Sequence, residues 1–234
     1  MSAEAVIWHD LECGGYRADL VVWLELAAEQ GGTVLDVGAG TGRVALALAR
    51  AGHAVIALEL DGALAAELER RAAGLPIDVL CADARRFALA TPVALCIVPM
   101  QTVHLLDDRA AFLRCAAGAL APGGLLALAL LGEGVEPFEL ELDPDAVLLD
   151  GVRYESAPTG LRRSAGTVTL ERRRSRIAGE AQRSELNVIH LHECDAATLE
   201  REALDAGLVP RGRRIVAPTR DHAGSEIVLL GAPA

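Results

Sequence analysis

The chain has 234 residues, of which 52% are hydrophobic and 24% charged, so it can bury a sizeable core and is too apolar to be a disordered segment. Its net charge of −11 argues against a nucleic-acid-binding surface, and all 22 basic residues are arginine, which excludes lysine chemistry. Aromatic residues make up only 3%, so the core must be built from Leu, Val, Ala and Ile.

In chain order, residues 1–16 form a lead-in carrying Trp8, His9, Asp10, Glu12 and Tyr16, which could dock on the domain as an amphipathic segment. No basic start with an apolar core marks a signal peptide, and no apolar run reaches membrane-spanning length. Leu20, Val21, Trp23, Leu24 and Ala27 have helical spacing and predict a helix from about Ala18 to Glu29. A buried strand follows at Thr33–Val37, then the turn Gly38-Ala39-Gly40-Thr41-Gly42, then apolar residues at helical spacing up to Arg50. Glycines at 38, 40 and 42 let backbone approach a ligand with no Cβ in the way, and the loop amides favour a polar or anionic group. The second strand, 54–58, ends in Glu59, with Leu60 beside it. A carboxylate at that tip can accept both hydroxyls of a ribose.

Asp61 caps a helix over roughly 62–73, which Gly74-Leu75-Pro76 breaks. Ile77–Cys81 is a short third strand, followed by Ala82-Asp83-Ala84. The fourth, Val93–Val98, is apolar throughout, as befits a parallel strand covered on both faces, and it opens onto Pro99-Met100-Gln101-Thr102-Val103-His104. A helix then starts at Asp107 or Asp108, Ala121-Pro122-Gly123-Gly124 ends it, and Leu125–Leu131 is the fifth strand.

The pattern changes after 131. Residues 133–150 carry Glu133, Glu136, Glu139, Glu141, Asp143, Asp145 and Asp150 and no base, whereas 161–183 carry seven arginines against Glu171 and Glu180. Gly166–Arg176 and Arg183–His192 read as antiparallel strands around a turn at 177–180. His190 and His192 share one face of the second, but no third ligand at suitable spacing suggests a metal. Asp195 caps a helix to about Ala206, and Leu208–Val216 with Ser225–Leu230 read as a closing antiparallel pair. The five cysteines form no Cys-x-x-Cys pair and read as reduced small hydrophobes of a cytoplasmic protein.

Two families of glycine loop compete for the stretch at 36–42. The dinucleotide fingerprint is Gly-x-Gly-x-x-Gly, whereas here Gly42 closes Gly-x-Gly-x-Gly and Arg43 follows. With Asp36 two places ahead, the stretch resembles the first motif of class I S-adenosylmethionine-dependent methyltransferases, small-molecule type. The likeness is strong over about 30–131 and moderate over 195–230. It implies a Rossmann-like, doubly wound, seven-stranded, mostly parallel sheet whose last strand is antiparallel. The core would be 1–131 with 195–234, and 132–194 an inserted antiparallel β region capping the acceptor.

The resemblance implies S-adenosyl-L-methionine as cofactor and S-adenosyl-L-homocysteine as product. The cofactor would be held by Asp36, Gly38, Ala39, Gly40, Gly42, Glu59, Leu60, Asp83, Ala84, Pro99 and Met100. Glu59 would take the ribose, Asp83 the adenine amino group, and the Ala84 amide a ring nitrogen. The leading segment would close over the cofactor. His104, just after the fourth strand, is the candidate general base, and Tyr16 the candidate to contact the cofactor or orient the acceptor. The expected acceptor is an O or N of a small molecule, with no membrane partner, no metal, and room for a homodimer. The Asn-Pro-Pro-Tyr signature of adenine and glutamine amino methylation is absent. A non-catalytic S-adenosylmethionine-binding protein, a nucleic-acid methyltransferase and a nicotinamide oxidoreductase are the competing readings.

Overall fold

The computed structural model describes residues 3–132, 136–139, 142–219 and 222–233. The chain divides into two compact units, Tyr16–Glu133 with Cys194–Ala234, and Met1–Gly15 with Gly134–Glu193.

The larger unit is a seven-stranded sheet in the order β10-β11-β5-β4-β1-β2-β3. Its strands are β1 (Val34–Val37), β2 (Val55–Glu59), β3 (Ile77–Cys81), β4 (Val93–Val98), β5 (Leu120–Leu131), β10 (Val209–Val216) and β11 (Ser225–Gly231). β1 pairs in parallel with β2 and β4, β2 with β3, and β4 with β5, while β11 runs antiparallel to both β5 and β10. The single reversed strand is therefore β11, as the resemblance implied.

The apolar runs explain the layers. On one face Val34, Val55, Leu95, Ile97 and Ala127 pack with Trp23 and Leu26 of α2 (Leu20–Gln30), Leu48 of α3 (Ala45–Arg50) and Leu68 of α4 (Gly62–Arg71). On the other, Leu35, Val37, Cys96, Val98, Leu126 and Leu128 pack with Phe112 and Leu113 of α5 (Arg109–Ala119) and Leu199 of α6 (Ala196–Asp205). Alternation along β1 puts Val34 and Asp36 on the first face, and this places a carboxylate in an apolar layer. The strand order reverses between β1 and β4, and at such a switch point doubly wound sheets bind ligands in the crevice outside the strands' carboxyl ends.

Three of the helix caps expected from sequence form. Asp61 accepts from the amides of Ala63 and Leu64, Asp108 from Ala111 and Asp195 from Thr198. The Ala121-Pro122-Gly123-Gly124 junction differs from its reading as a stop alone. Helix α5 ends at Ala119 and strand pairing starts at Leu120, opposite Val93. Gly124 sits so close to Ala121 and Ala94 that an added Cβ would lie 2.9 and 3.2 Å from their carbonyl oxygens.

The smaller unit is a four-stranded antiparallel sheet, β6 (Asp145–Leu149), β7 (Val152–Ser164), β8 (Thr167–Ala178) and β9 (Ala181–His192), in that order. β8 and β9 are the hairpin read from sequence. β6 and β7 were not expected, because Pro158, Gly160 and three arginines break the apolar alternation of β7; a register shift between Pro158 and Gly160 accommodates them. The leading helix α1 (Ala3–Cys13) belongs to this unit, so residues 1–15, read from sequence as part of the larger one, group with the insertion. Trp8 packs edge-on against Tyr154 at 5.3 Å, and Glu12 accepts two bonds from Arg174 and one from the Ser156 hydroxyl. Part of the arginine cluster is thus consumed inside the sheet's own packing. Glu133 and Glu141 of the acidic run lie outside the described residues.

Candidate functional site

The glycine loop leaves β1 at the crevice. Gly38, Gly40 and Gly42 all have positive φ, 71°, 57° and 97°, a region costly for residues bearing a Cβ. Gly38 has a second constraint, since an added Cβ would lie 2.5 Å from Cγ2 of Thr102. Thr102 is held in turn by its hydroxyl, which donates to the Pro99 carbonyl at 3.0 Å. The amides of Gly38 and Ala39 both reach the Leu58 carbonyl, at 2.8 and 3.1 Å, which ties the loop to the end of β2.

Glu59 is the centre of this arrangement. Its carboxylate is buried and accepts from the Gly40 amide at 2.8 Å through one oxygen and from the Asp61 amide at 2.8 Å through the other. Each oxygen keeps a further lone pair. The side chain is therefore fixed by backbone on both sides and can still accept the two hydroxyls of a vicinal diol. Leu60, next in the chain, is exposed at 66%.

Asp83 lies beyond β3. Its carboxylate accepts from Nε and Nη2 of Arg85 at 2.9 and 2.7 Å and from the Arg85 amide at 2.9 Å. Arg85 also pairs with Asp107. These donors hold the Asp83 carboxyl far below the usual carboxylate range, with the Arg85 side chain the largest cause. Asp83 is thus an orientation-locked acceptor, and the neighbouring Ala84 is buried in the core.

Asp36 stands differently from its sequence reading. It is 1% exposed, and neither carboxylate oxygen has a hydrogen-bond partner or surface open to solvent. Burial pushes its pKa up to about 7, the Arg43 guanidinium and the Ala45 amide pull it back, and the carboxylates of Glu59 and Asp19 add to the rise.

The two candidate catalytic side chains are both buried. His104 lies in a short 3-10 turn, Thr102–Leu105, and its Nε2 accepts the Leu131 amide at 3.0 Å. That bond occupies the lone pair a general base would use, and it ties the segment after β4 to the end of β5. Tyr16 packs in the first core layer, its ring 4.8 Å from that of His222, with its phenol pKa raised chiefly by burial and then by Asp19. Pro99 is buried, and Met100 adopts φ 55°, an uncommon conformation for a residue with a Cβ, at the point where β4 opens into the crevice.

Arg43, whose only sequence role was to break a dinucleotide pattern, carries a buried network. It donates through Nη1 and Nη2 to the two oxygens of Asp19 at 2.5 and 2.8 Å, and through Nη1 to the Tyr16 carbonyl at 3.0 Å. Asp19 also accepts the Trp23 indole N–H at 2.9 Å. Residues 19 and 43 share no element or spacing, so no local pattern could have paired them. Among the described residues no group of three or more His, Cys, Asp or Glu is placed to hold a metal ion.

Residues 34–124 match the family model of a methyltransferase domain. Curated relatives include a tRNA1(Val) (adenine(37)-N6)-methyltransferase of Bacteroides fragilis, 38% identical over 90 residues, which make up 35% of this chain and 37% of that protein. A ubiquinone biosynthesis O-methyltransferase of Parvibaculum lavamentivorans is 32% identical over 99 residues, 42% of this chain and 39% of that one. The chain thus spans well under half the length of the curated relatives it matches. Among solved structures, SAM-bound CalS10, an amino pentose methyltransferase from Micromonospora echinaspora, superposes with TM-score 0.75 at 20% identity, covering 95% of this chain and 96% of that one. The sugar N-methyltransferase KedS8 from a Streptoalloteichus species gives 0.76 at 19% identity, covering 100% and 94%. Residues 34–124 thus match a methyltransferase domain model, and the chain shares the fold of these solved methyltransferases.

Proposed function

We propose that the protein is an S-adenosylmethionine-dependent methyltransferase that methylates an O or N of a small molecule and releases S-adenosylhomocysteine. The observation that carries the reading is Glu59, buried at the carboxyl end of β2 and clamped by the Gly40 and Asp61 amides with both oxygens still able to accept. The donor set fits the cofactor. Glu59 would bind the ribose diol, the backbone of Gly38, Ala39, Gly40 and Gly42 the methionine portion, and Leu60 would cover the adenosine. Asp83 and the Ala84 amide would read the adenine. Asp36, once ionised above its raised pKa of about 7, would act on the cationic part through its charge.

When bound, the cofactor supplies a methyl group already activated on a sulfonium, so the protein's main task is alignment of an in-line displacement. Pro99 and Met100 would shape the place of transfer. A general base is needed only for an acceptor that is protonated at working pH. With Nε2 of His104 bonded to the Leu131 amide, we assign His104 the task of fixing the β4 and β5 ends rather than of moving a proton. Tyr16 would likewise act by holding the loop's surroundings.

The acceptor reading rests on the structural neighbours, which include an amino pentose methyltransferase and a sugar N-methyltransferase. They favour an amine on a sugar-like small molecule. The tRNA relative matches over 90 residues only, and a ubiquinone O-methyltransferase matches over a similar length, as expected where the shared part is cofactor chemistry rather than acceptor choice. Pro99-Met100-Gln101-Thr102 also stands where adenine amino methylases would carry Asn-Pro-Pro-Tyr.

Calorimetric titration with S-adenosylhomocysteine tests the cofactor. The wild type should bind, and Glu59→Gln, which keeps one carbonyl acceptor but loses the charge, should weaken binding about 10- to 100-fold, the worth of a charged hydrogen bond. Equal affinity in the two proteins would refute the assignment of Glu59.

A further inference from the structure

The glycine loop cannot hold itself. Three of its residues have no side chain and sit at positive φ, so its shape depends on bonds from outside. At its centre the outside bond is the Glu59 carboxylate on the Gly40 amide. At its end it is Arg43, the residue directly after Gly42.

The Arg43 side chain is 6% exposed and that of its partner Asp19 is 2% exposed. A buried ion pair is a poor device for stability, because its desolvation cost offsets its attraction and apolar residues of similar size often serve as well. What a bidentate Arg–carboxylate pair supplies is fixed orientation. The guanidinium here is gripped on more than one side. Asp19 takes both of its Nη groups, the Tyr16 carbonyl takes a further bond, and the Tyr16 ring lies beneath it at 5.1 Å. Asp19 is itself steered by the Trp23 indole. The segment Tyr16–Trp23 and the loop 38–42 are therefore joined through one side chain.

We propose that Arg43 is a positioning residue for cofactor binding: paired with Asp19, it sets the conformation of the glycine loop and couples that loop to the Tyr16–Trp23 segment. The proposal rests on the cofactor reading above. Arg43 does not touch the cofactor in this account; it acts through the loop backbone.

The test uses the full chain in a Trp8→Phe background. This leaves Trp23, whose indole bonds Asp19, as the sole tryptophan. Two variants are compared with it. Asp19→Leu/Arg43→Met removes both charges at once and leaves neither buried alone. Arg43→Lys keeps the charge and loses the fork. Each is followed by urea denaturation, by S-adenosylhomocysteine titration in a calorimeter and by Trp23 emission.

The parent should bind and shift the Trp23 emission. The double variant should unfold at an unchanged or higher urea concentration, yet bind roughly 10- to 100-fold more weakly, as expected for a misplaced rather than missing contact, and its emission should no longer respond. Arg43→Lys should fall between the two. A double variant that binds with parental affinity overturns the proposal. Should the double variant not fold, Arg43→Lys decides alone, and parental affinity there overturns it equally. A parent that binds neither S-adenosylhomocysteine nor S-adenosylmethionine brings down the cofactor reading first and this inference with it, before any variant is compared.

Discussion

Replacing Asp36 by asparagine should stabilise the protein at neutral pH and leave it little changed in mild acid. The carboxyl sits in the apolar layer beside Val34, with both oxygens sealed and without hydrogen bonds, and burial pushes its pKa up to about 7 from an ordinary value of 3.8. Between those two values the unfolded chain is ionised at Asp36 while the native protein holds the proton. The native state thus binds more protons, and stability falls as pH rises. The contribution is fully present below the unfolded value and lost by the time pH passes the folded one. One pKa unit corresponds to about 1.4 kcal/mol, so the three units here amount to about 4 kcal/mol at most, nearly all of it spread between pH 4 and 7. An asparagine side chain cannot ionise, so the substitution removes this slope. Other shifted groups, such as Asp83 and Glu67, are common to both proteins and cancel in the difference. Urea unfolding of wild type and Asp36→Asn at half-unit steps from pH 4.5 to 8 measures it. The difference in unfolding free energy should grow in favour of the variant up to about pH 7 and then level off. A difference independent of pH would show that Asp36 is ionised throughout and that the buried, unpartnered placement is misread.

Gly38→Ala should cost roughly 1–2 kcal/mol for its left-handed backbone plus roughly 1–3 kcal/mol for the clash with Thr102, and Thr102→Ala in that background should recover only the second part, both read from urea midpoints. His104→Leu should cost roughly 1–3 kcal/mol by stranding the Leu131 amide, with His104→Gln partly restoring it. Turnover per folded molecule should be unchanged in both, whereas a loss of about a hundredfold or more would return His104 to the role of general base. Among the thiols, exposed Cys81 should react first with a disulfide reagent, and Cys96, whose buried thiol has its pKa pushed up by desolvation, should react only on unfolding. S-adenosylhomocysteine should slow labelling of Cys81, since it pairs in register with Glu59, and an unaltered rate would count against that placement of the cofactor.

The parallel half of the sheet was legible in the amino-acid sequence because its evidence is local. Apolar runs at 34–37, 55–58 and 93–98, broken by glycines and followed by helical spacing, can be little else than buried strands feeding helices. The Gly-x-Gly-x-Gly loop and Glu59 were legible for the same reason, since each takes its meaning from the end of the strand before it. Strands β6 and β7 were not, because proline, glycine and arginine interrupt the alternation that would mark them, and the leading helix gave no sign that it groups with that sheet.

Tertiary structure decided which charges meet. Glu59 on the Gly40 amide, Asp36 sealed in an apolar layer and Nε2 of His104 on the Leu131 amide each depend on where separate segments come to rest. The Asp19–Arg43 pair shows the reason most clearly. A hydrophobic face repeats and can be read from spacing, but a single ion pair between residues 24 positions apart has no period, and only the folded chain brings its two halves within 2.5 Å.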